Sequence, residues 1–307
     1  MTDPNDFRPT TWADYIGQER VKERLDLAIE SAKNRGDRLP HTFLHAPPGA
    51  GKTTLAQIIA ERAGRADTFR KFVMPVDERG LKRIVTECFG IVLFDELHRL
   101  SPKQQEMLLP LLEDGEFHPK SGFPLPNPYI TIIGATTERG KIIQPLMDRF
   151  KIKPEFDDYT DDEMAQIAWN ILKRAKLDNI YDQDFAHELG LASGGVPRHV
   201  TDLIVAIRDL IHSKVNPSPT LEDVLHTADV THDGLSRLQT KYLTVLAYNG
   251  APLGIKPLAN HLQVSESAIL GLEDLLLRRG YIVYTKTGRE LTGPGHMRAQ
   301  QLLGTFP

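Results

Sequence analysis

The sequence is short of what an exported or membrane-bound protein would need. Its 307 residues include one cysteine, Cys88, which excludes an internal disulfide and a multi-cysteine zinc site. No apolar run nears the ~18 residues of a membrane helix, and the stretch Met1–Pro9 is polar, without signal-peptide character. A reducing cytoplasm is therefore the expected setting, with no membrane partner. Neither sign of charge dominates. The 37 basic residues against 41 acidic ones give a net charge of −4, which excludes a chain basic throughout its length, of the kind that coats nucleic acid. Internal repeats and low-complexity tracts are missing, and the eleven histidines are scattered without metal-ligand spacing. At 40% hydrophobic and 25% charged residues the composition is that of an ordered globular chain, and its length suggests two or three domains.

The small net charge is unevenly spread. From His232 onward there are eight basic against five acidic residues, so this end carries +3 and the first 231 residues carry −7. The texture of the chain changes at the same place. Residues 1–156 read as an α/β domain with a doubly wound parallel sheet: a polar lead-in over residues 1–10, a helix over 21–33, strands at 41–45, 91–94 and 129–135, and helices at 53–63 and 102–113. Four prolines in Gly115–Pro128 predict a loop or an irregular hairpin. Residues 157–231 read as a small all-helical domain, opened by capping-box spacing in Thr160-Asp-Asp-Glu163, with a loop at Asn216–Pro219. Residues 232–307 read as three helices and a two-strand unit turned at Lys286-Thr-Gly288, the outline of a winged helix.

The chemistry is concentrated in two motifs. His45-Ala-Pro-Pro-Gly-Ala-Gly-Lys-Thr-Thr54 lies between a strand and a helix, the context in which a phosphate-binding loop works. Gly49 and Gly51 let amides curl around phosphate oxygens. Lys52 reaches the β- and γ-phosphates, and the Thr53 hydroxyl is a Mg²⁺ ligand. Ala46 stands where the motif has its first glycine. Asp95-Glu96 ends the apolar run Ile91–Phe94, at the strand end where open α/β sheets bind ligands. Asp95 is suited to hold Mg²⁺ and Glu96 to polarise a water. Thr136 and Thr137 end another strand, with hydroxyls suited to a γ-phosphate or that water. Arg149 and Arg198 are further candidates, at a domain edge and a helix start. His98 reads as a structural residue beside the acidic pair, with coupling to the strand that ends in Thr136-Thr137 as the other reading.

These residues, with Arg8-Pro9, Asp14-Tyr-Ile-Gly-Gln18, Phe94-Asp-Glu-Leu-His-Arg-Leu-Ser-Pro102, Leu112-Glu-Asp114, Ile133-Gly-Ala-Thr-Thr137, Pro145-Leu-Met-Asp-Arg-Phe150, Gly195-Val-Pro-Arg198, Gly250-Ala-Pro-Leu-Gly254 and Thr287-Gly-Arg289, give the chain its likeness to a family. Over residues 7–300 it resembles the RuvB family of AAA+ ATPases, motors of Holliday-junction branch migration. The resemblance implies an ATPase with ATP and Mg²⁺, made of an AAA+ core, a helical lid and a C-terminal winged-helix DNA-binding domain. It also implies hexameric rings that move duplex DNA at four-way junctions. It places Arg8, Tyr15, Ile16, Pro48, Gly49, Ala50, Gly51, Lys52, Thr53, Thr54, Tyr159, Pro197 and Arg198 around the nucleotide. Thr136 or Thr137 becomes the sensor on the core and Arg198 the sensor on the lid. Arg149 becomes an arginine finger acting on a neighbouring subunit.

Two further departures shape the expectations. The region in which the family grows a hairpin for its junction-binding partner, RuvA, is short and proline-rich here. That speaks against a regular hairpin and against docking of a conventional RuvA, leaving Phe117, Phe123 and Leu125 for another partner or for the core. In the wing, Tyr284 replaces one of two basic residues, so Lys286 and Arg289 are the expected DNA contacts. Two other readings stay open at this point: a clamp-loader or initiator ATPase, and a nucleotide-gated binding protein with little turnover.

Overall fold

In a computed structural model of the chain, residues 7–119, 123–213 and 217–304 are described. They fall into two compact units. One holds the described residues through Glu163 together with Val196–Arg198; the other holds Met164–Gly195 and the described residues from His199 on.

The first unit is built on a parallel sheet. In chain order it contains α1 (Glu19–Arg35), β1 (Thr42–His45), α2 (Lys52–Arg62), β2 (Arg70–Val73), α3 (Glu78–Glu87) and β3 (Gly90–Asp95). These are followed by α4 (Pro102–Met107), α5 (Leu109–Glu113), β4 (Glu116–Phe117), β5 (Leu125–Pro126), β6 (Ile130–Thr136) and α6 (Gln144–Arg149). The sheet order is β1-β6-β3-β2, all parallel. Side chains alternate across a strand, and β3 has an apolar residue on each face at every step. Ile91 and Leu93 join the core with Val21, Leu25 and Ile29 of α1 and Leu55, Ile58 and Ile59 of α2. Val92 and Phe94 join the opposite core with Leu81 and Ile84 of α3 and Leu146 of α6. Two helical layers therefore cover the sheet, and the apolar run ends at its carboxyl edge with Asp95.

Several expectations change. The helix expected over 102–113 is broken at Leu108 into α4 and α5, because Pro110 lacks the amide that a continuous helix needs and its ring crowds the preceding turn. The expected N-cap is present: Ser101 and Gln104 form a capping box. The Gly115–Pro128 region, of which 120–122 lie outside the described residues, does hold a hairpin, but its ladder is two residues long, pairing Glu116 with Pro126 and Phe117 with Leu125. Phe117 is fully buried in the core, whereas Phe123 is 88% exposed. Of the lead-in, residues 1–6 lie outside the described set and Phe7 is buried.

The second unit is mostly helical. α7 (Asp161–Arg174) begins at the Thr160–Glu163 capping box, and α8 (Gln183–Ala192), α9 (Pro197–His212) and α10 (Leu221–Ala228) follow, the residues of α7 through Glu163 and Pro197-Arg198 of α9 counting with the first unit. Asn216 of the expected loop lies outside the described residues, and Thr220 caps α10. Then come α11 (Arg237–Asn249), α12 (Ile255–Leu262), α13 (Glu266–Arg278), the antiparallel pair β7 (Ile282–Thr285) and β8 (Gly288–Leu291), and α14 (Gly293–Gly304). The winged-helix outline is as read, with the addition of α14. Thr292 caps that helix, its carbonyl accepting from the His296 amide and its hydroxyl from the Gly295 amide.

Candidate functional site

Because β6 lies between β1 and β3, the loop after β1, the acidic pair after β3 and the threonines after β6 meet at one edge of the sheet. The loop is held open by backbone conformations that favour glycine: Gly49 has φ 80° and Gly51 φ 95°. A Cβ on Gly49 would come 2.6 Å from Val196 Cγ1 and 3.1 Å from Arg198 Cβ, and one on Gly51 would come 2.8 Å from the Tyr15 hydroxyl. Val196–Arg198 thus lie against the loop, with Pro197 half-buried and Arg198 exposed. Ala46 has no left-handed φ, so glycine's special freedom is not required at that position. The Lys52 ammonium donates to the carbonyls of Ala46 (2.7 Å) and Pro47 (2.9 Å). Burial lowers its pKa and the Glu96 and Asp95 carboxylates work in the opposite direction.

Thr53 Oγ1 donates to Asp95 Oδ2 at 3.0 Å, and the Lys71 ammonium lies 2.9 Å from the same oxygen. The buried Asp95 carboxylate and the Thr53 hydroxyl form a hard-oxygen donor set that already attracts a cation. It fits Mg²⁺. Glu96 follows in a left-handed backbone conformation, φ 56° and ψ 45°, which is costly for a residue with a Cβ and is found at functional sites. Its amide donates to Asp95 Oδ1 (3.2 Å). The Thr137 hydroxyl lies 3.5 Å from Glu96 Oε2. Thr136, one of the two candidate sensors, is 0% exposed; its Oγ1 lies 2.9 Å from His98 Nδ1 and accepts from the Glu138 amide. The hydroxyl facing the carboxylate is therefore that of Thr137.

Beside the loop, Tyr159 donates to the Ala50 carbonyl (3.3 Å) and its hydroxyl lies 3.4 Å from that of Tyr15. Burial raises both phenol pKa values. Gln18 ties this corner together, donating to the Asp157 carbonyl and accepting from its amide. Ile16 and Arg8 are half-buried nearby in the chain, and Thr54 is buried in α2. Arg149 lies at the end of α6, where its guanidinium donates to Glu113 (Nε, 2.9 Å) and to the Pro145 carbonyl. Sequence reasoning missed Lys71, on an edge strand whose alternation is too weak to read.

In the second unit, Lys286 is exposed in the β7–β8 turn. Arg289 is placed otherwise than expected. Its Nε donates to Glu273 Oε1 at 2.8 Å and its guanidinium lies over the Tyr284 ring. Tyr242 and Tyr284 donate to the two oxygens of Glu273, each at 2.7 Å. Burial pushes the Glu273 carboxyl up, but Arg289 and the two phenols together hold it below the ordinary range. Arg289 is thus an internal fastener between wing and α13, and Tyr284 completes the same cluster.

Comparison with known proteins covers both units. The family model for the Holliday junction DNA helicase RuvB P-loop domain matches residues 7–156, and that for the RuvB C-terminal winged helix domain matches residues 232–298. The Holliday junction branch migration complex subunit RuvB of a Nitratiruptor species is 35% identical over 300 residues, spanning 93% of this chain and 89% of that protein. Among solved structures, the Thermotoga maritima RuvB Holliday junction branch migration motor aligns with a TM-score of 0.80 at 31% identity. A point mutant of it aligns with a TM-score of 0.81 at 30% identity. Each alignment covers 96% of this chain and 98% of the other.

Proposed function

The chain belongs to the RuvB family, and from that premise we propose that it is an ATP-driven motor of Holliday-junction branch migration, working as a hexameric ring on duplex DNA. The observation that carries the proposal is the convergence of the phosphate loop, Asp95-Glu96 and Thr137 at one sheet edge, in a chain that follows a branch-migration motor along nearly its whole length. The nucleotide is ATP. Amides of the Gly49–Thr53 loop cradle its phosphates, with Lys52 adding charge toward the β- and γ-oxygens. Thr53 and Asp95 hold Mg²⁺, which when bound neutralises charge on those oxygens. Glu96 orients the attacking water and Thr137 steadies that carboxylate. Arg198, adjacent to Gly49, reads the γ-phosphate, while Tyr15, Ile16, Tyr159 and Arg8 enclose the base side.

Arg149 acts in trans, exchanging Glu113 for the transition-state charge in a neighbouring subunit. Such fingers contribute roughly 10³–10⁵ in rate in phosphoryl-transfer systems. The chain is organised as core (1–156), lid (157–231) and winged helix (232–307), in a cytoplasmic setting. Lys286 contacts the DNA backbone, and exposed Phe123 is available to a junction-binding subunit. The test is ATP-dependent dissociation of a synthetic four-way junction, with and without such a subunit. Arg149→Ala should abolish turnover yet spare nucleotide affinity, and mixing it with Lys52→Ala should restore activity across the interface. A protein that hydrolyses ATP but never moves a junction, or an Arg149→Ala variant with normal turnover, would overturn the proposal.

A further inference from the structure

His98 lies in the short turn after β3, and its side chain is 9% exposed. The ring touches three elements of the site. Nδ1 lies 2.9 Å from Thr136 Oγ1 and 3.3 Å from Glu96 Oε2, and Nε2 lies 3.2 Å from Glu138 Oε1. Glu138 is in turn held by Lys141 at 2.8 Å. The hydrogen bond of the ring is the one between Nδ1 and the Thr136 hydroxyl, while Glu96 and Glu138 lie within ion-pair distance of Nδ1 and Nε2. A glutamate has three side-chain torsions and, left untethered, would sample several rotamers. The imidazole and the Thr137 hydroxyl both approach the same oxygen of Glu96, Oε2, at 3.3 and 3.5 Å.

We propose that His98 is a positioning residue for ATP hydrolysis: the imidazole fixes the Glu96 carboxylate where it orients the attacking water, and ties that placement to the end of β6 through Thr136. The proposal rests on the reading of Glu96 given above. A displacement of about 1 Å at a reacting group can cost on the order of 100-fold in rate, so the tether is expected to show in turnover and not in nucleotide binding.

The test compares His98→Ala, His98→Asn and His98→Gln in the full chain, each with Glu96 intact and in the Glu96→Gln background. Steady-state and single-turnover ATP hydrolysis, KM, fluorescent-ADP affinity and thermal melting are measured. His98→Ala should lower kcat by about 10–100-fold while KM and ADP affinity stay within about twofold. Asn places an amide near the position of Nδ1 and should restore most of the loss; Gln, which reaches toward the Nε2 position, should restore less. In the Glu96→Gln background His98→Ala should add nothing, because a residue acting through Glu96 has nothing left to hold.

Turnover of His98→Ala within about twofold of wild type would overturn the proposal. So would equal losses in the two backgrounds, or a loss that follows ADP affinity and melting temperature and is not restored by Asn. If the alanine variant does not fold, equal turnover of the Asn and Gln variants would overturn it. Normal turnover of Glu96→Gln alone would remove the reading of Glu96 and the proposal with it, whereas a dead Glu96→Gln beside an unaffected His98→Ala would remove only the role of His98.

Discussion

His41 offers a quantitative test of the core. It is 3% exposed, and its Nδ1 accepts from the Ile132 amide at 2.8 Å. That bond needs the Nδ1 lone pair, so the ring proton is on Nε2, which has no hydrogen-bond partner. Burial, reinforced by the nearby Arg38 charge, lowers the ring pKa to about 3. In the unfolded chain it titrates near 6.5. The folded form is therefore the one that refuses the proton. The stability this contributes is complete above pH 6.5 and is lost as the pH falls toward 3. Between pH 7 and pH 5 the loss is set almost wholly by the unfolded value and comes to about 2 kcal/mol. The perturbation is His41→Asn, which retains an acceptor for the Ile132 amide and cannot titrate. Urea unfolding at the two pH values, followed by a probe in the first unit, gives one pH difference for each protein. Other titrating groups contribute equally to both, so the wild type should lose about 2 kcal/mol more than the variant. Parallel losses would mean that His41 is protonated in the folded protein, and the burial argument would fail.

Other predictions follow from the site and the wing. Lys52→Ala should abolish binding of a fluorescent ATP analogue, whereas Glu96→Gln should retain it and lower phosphate release by roughly 10²–10⁴-fold. Gly49→Ala combines a left-handed φ, worth about 1–2 kcal/mol, with a contact to Val196 too close for any Cβ; it should weaken nucleotide binding at little cost to overall folding, as read by titration and melting. Glu273→Ala should destabilise the second unit by about 2–3 kcal/mol, because it strands Arg289 and two phenols, and Glu273→Gln should cost less. In DNA binding measured across salt concentrations, Lys286→Ala should reduce the slope by about one phosphate contact, and Arg289→Ala should lower the melting temperature more than it changes the slope.

Much of the fold was legible because its signals are local. The Ile91–Phe94 run, the Ser101 and Thr160 caps and the α12 segment each announce themselves within a few residues. What escaped lacks a local signal or carries a misleading one. β2 is an edge strand whose residues are mostly exposed, so no alternation marks it. α14 opens Gly-Pro-Gly, which reads as a breaker. In the structure a Cβ on Gly295 would lie 1.9 Å from the Tyr281 carbonyl oxygen. The glycine is there because the helix packs against backbone, and Thr292 supplies the start signal. The nucleotide site divides in the same way. The phosphate loop and the acidic pair are contiguous motifs. Which threonine faces Glu96, and what else touches that carboxylate, depend on the register of β6 between β1 and β3, which no stretch of sequence contains.

The wing shows why neither a net charge nor a basic residue at a wing position locates a DNA contact. Three of the eight basic residues after His232 are spent inside the unit: Arg278 on Asp274, Arg289 on Glu273 and Arg298 on Asp233. Those pairs also consume three of the five carboxylates, so the net charge of +3 is unchanged while its location moves. It now resides on Arg237, Lys241, Lys256, Arg279 and Lys286, set against Glu266 and Glu290. Screening reduces surface charges beyond about 8 Å at physiological salt, so a phosphate senses which cations are near it and not the sum over the domain. Tyr284 follows from the same reasoning. Glu273 is buried and already has a guanidinium on it, while the half-exposed Tyr284 donates its phenol to the remaining oxygen and adds no charge. The substitution that looks like a lost DNA contact is, in the structure, the completion of the fastener that holds the wing in place and leaves Lys286 at its turn.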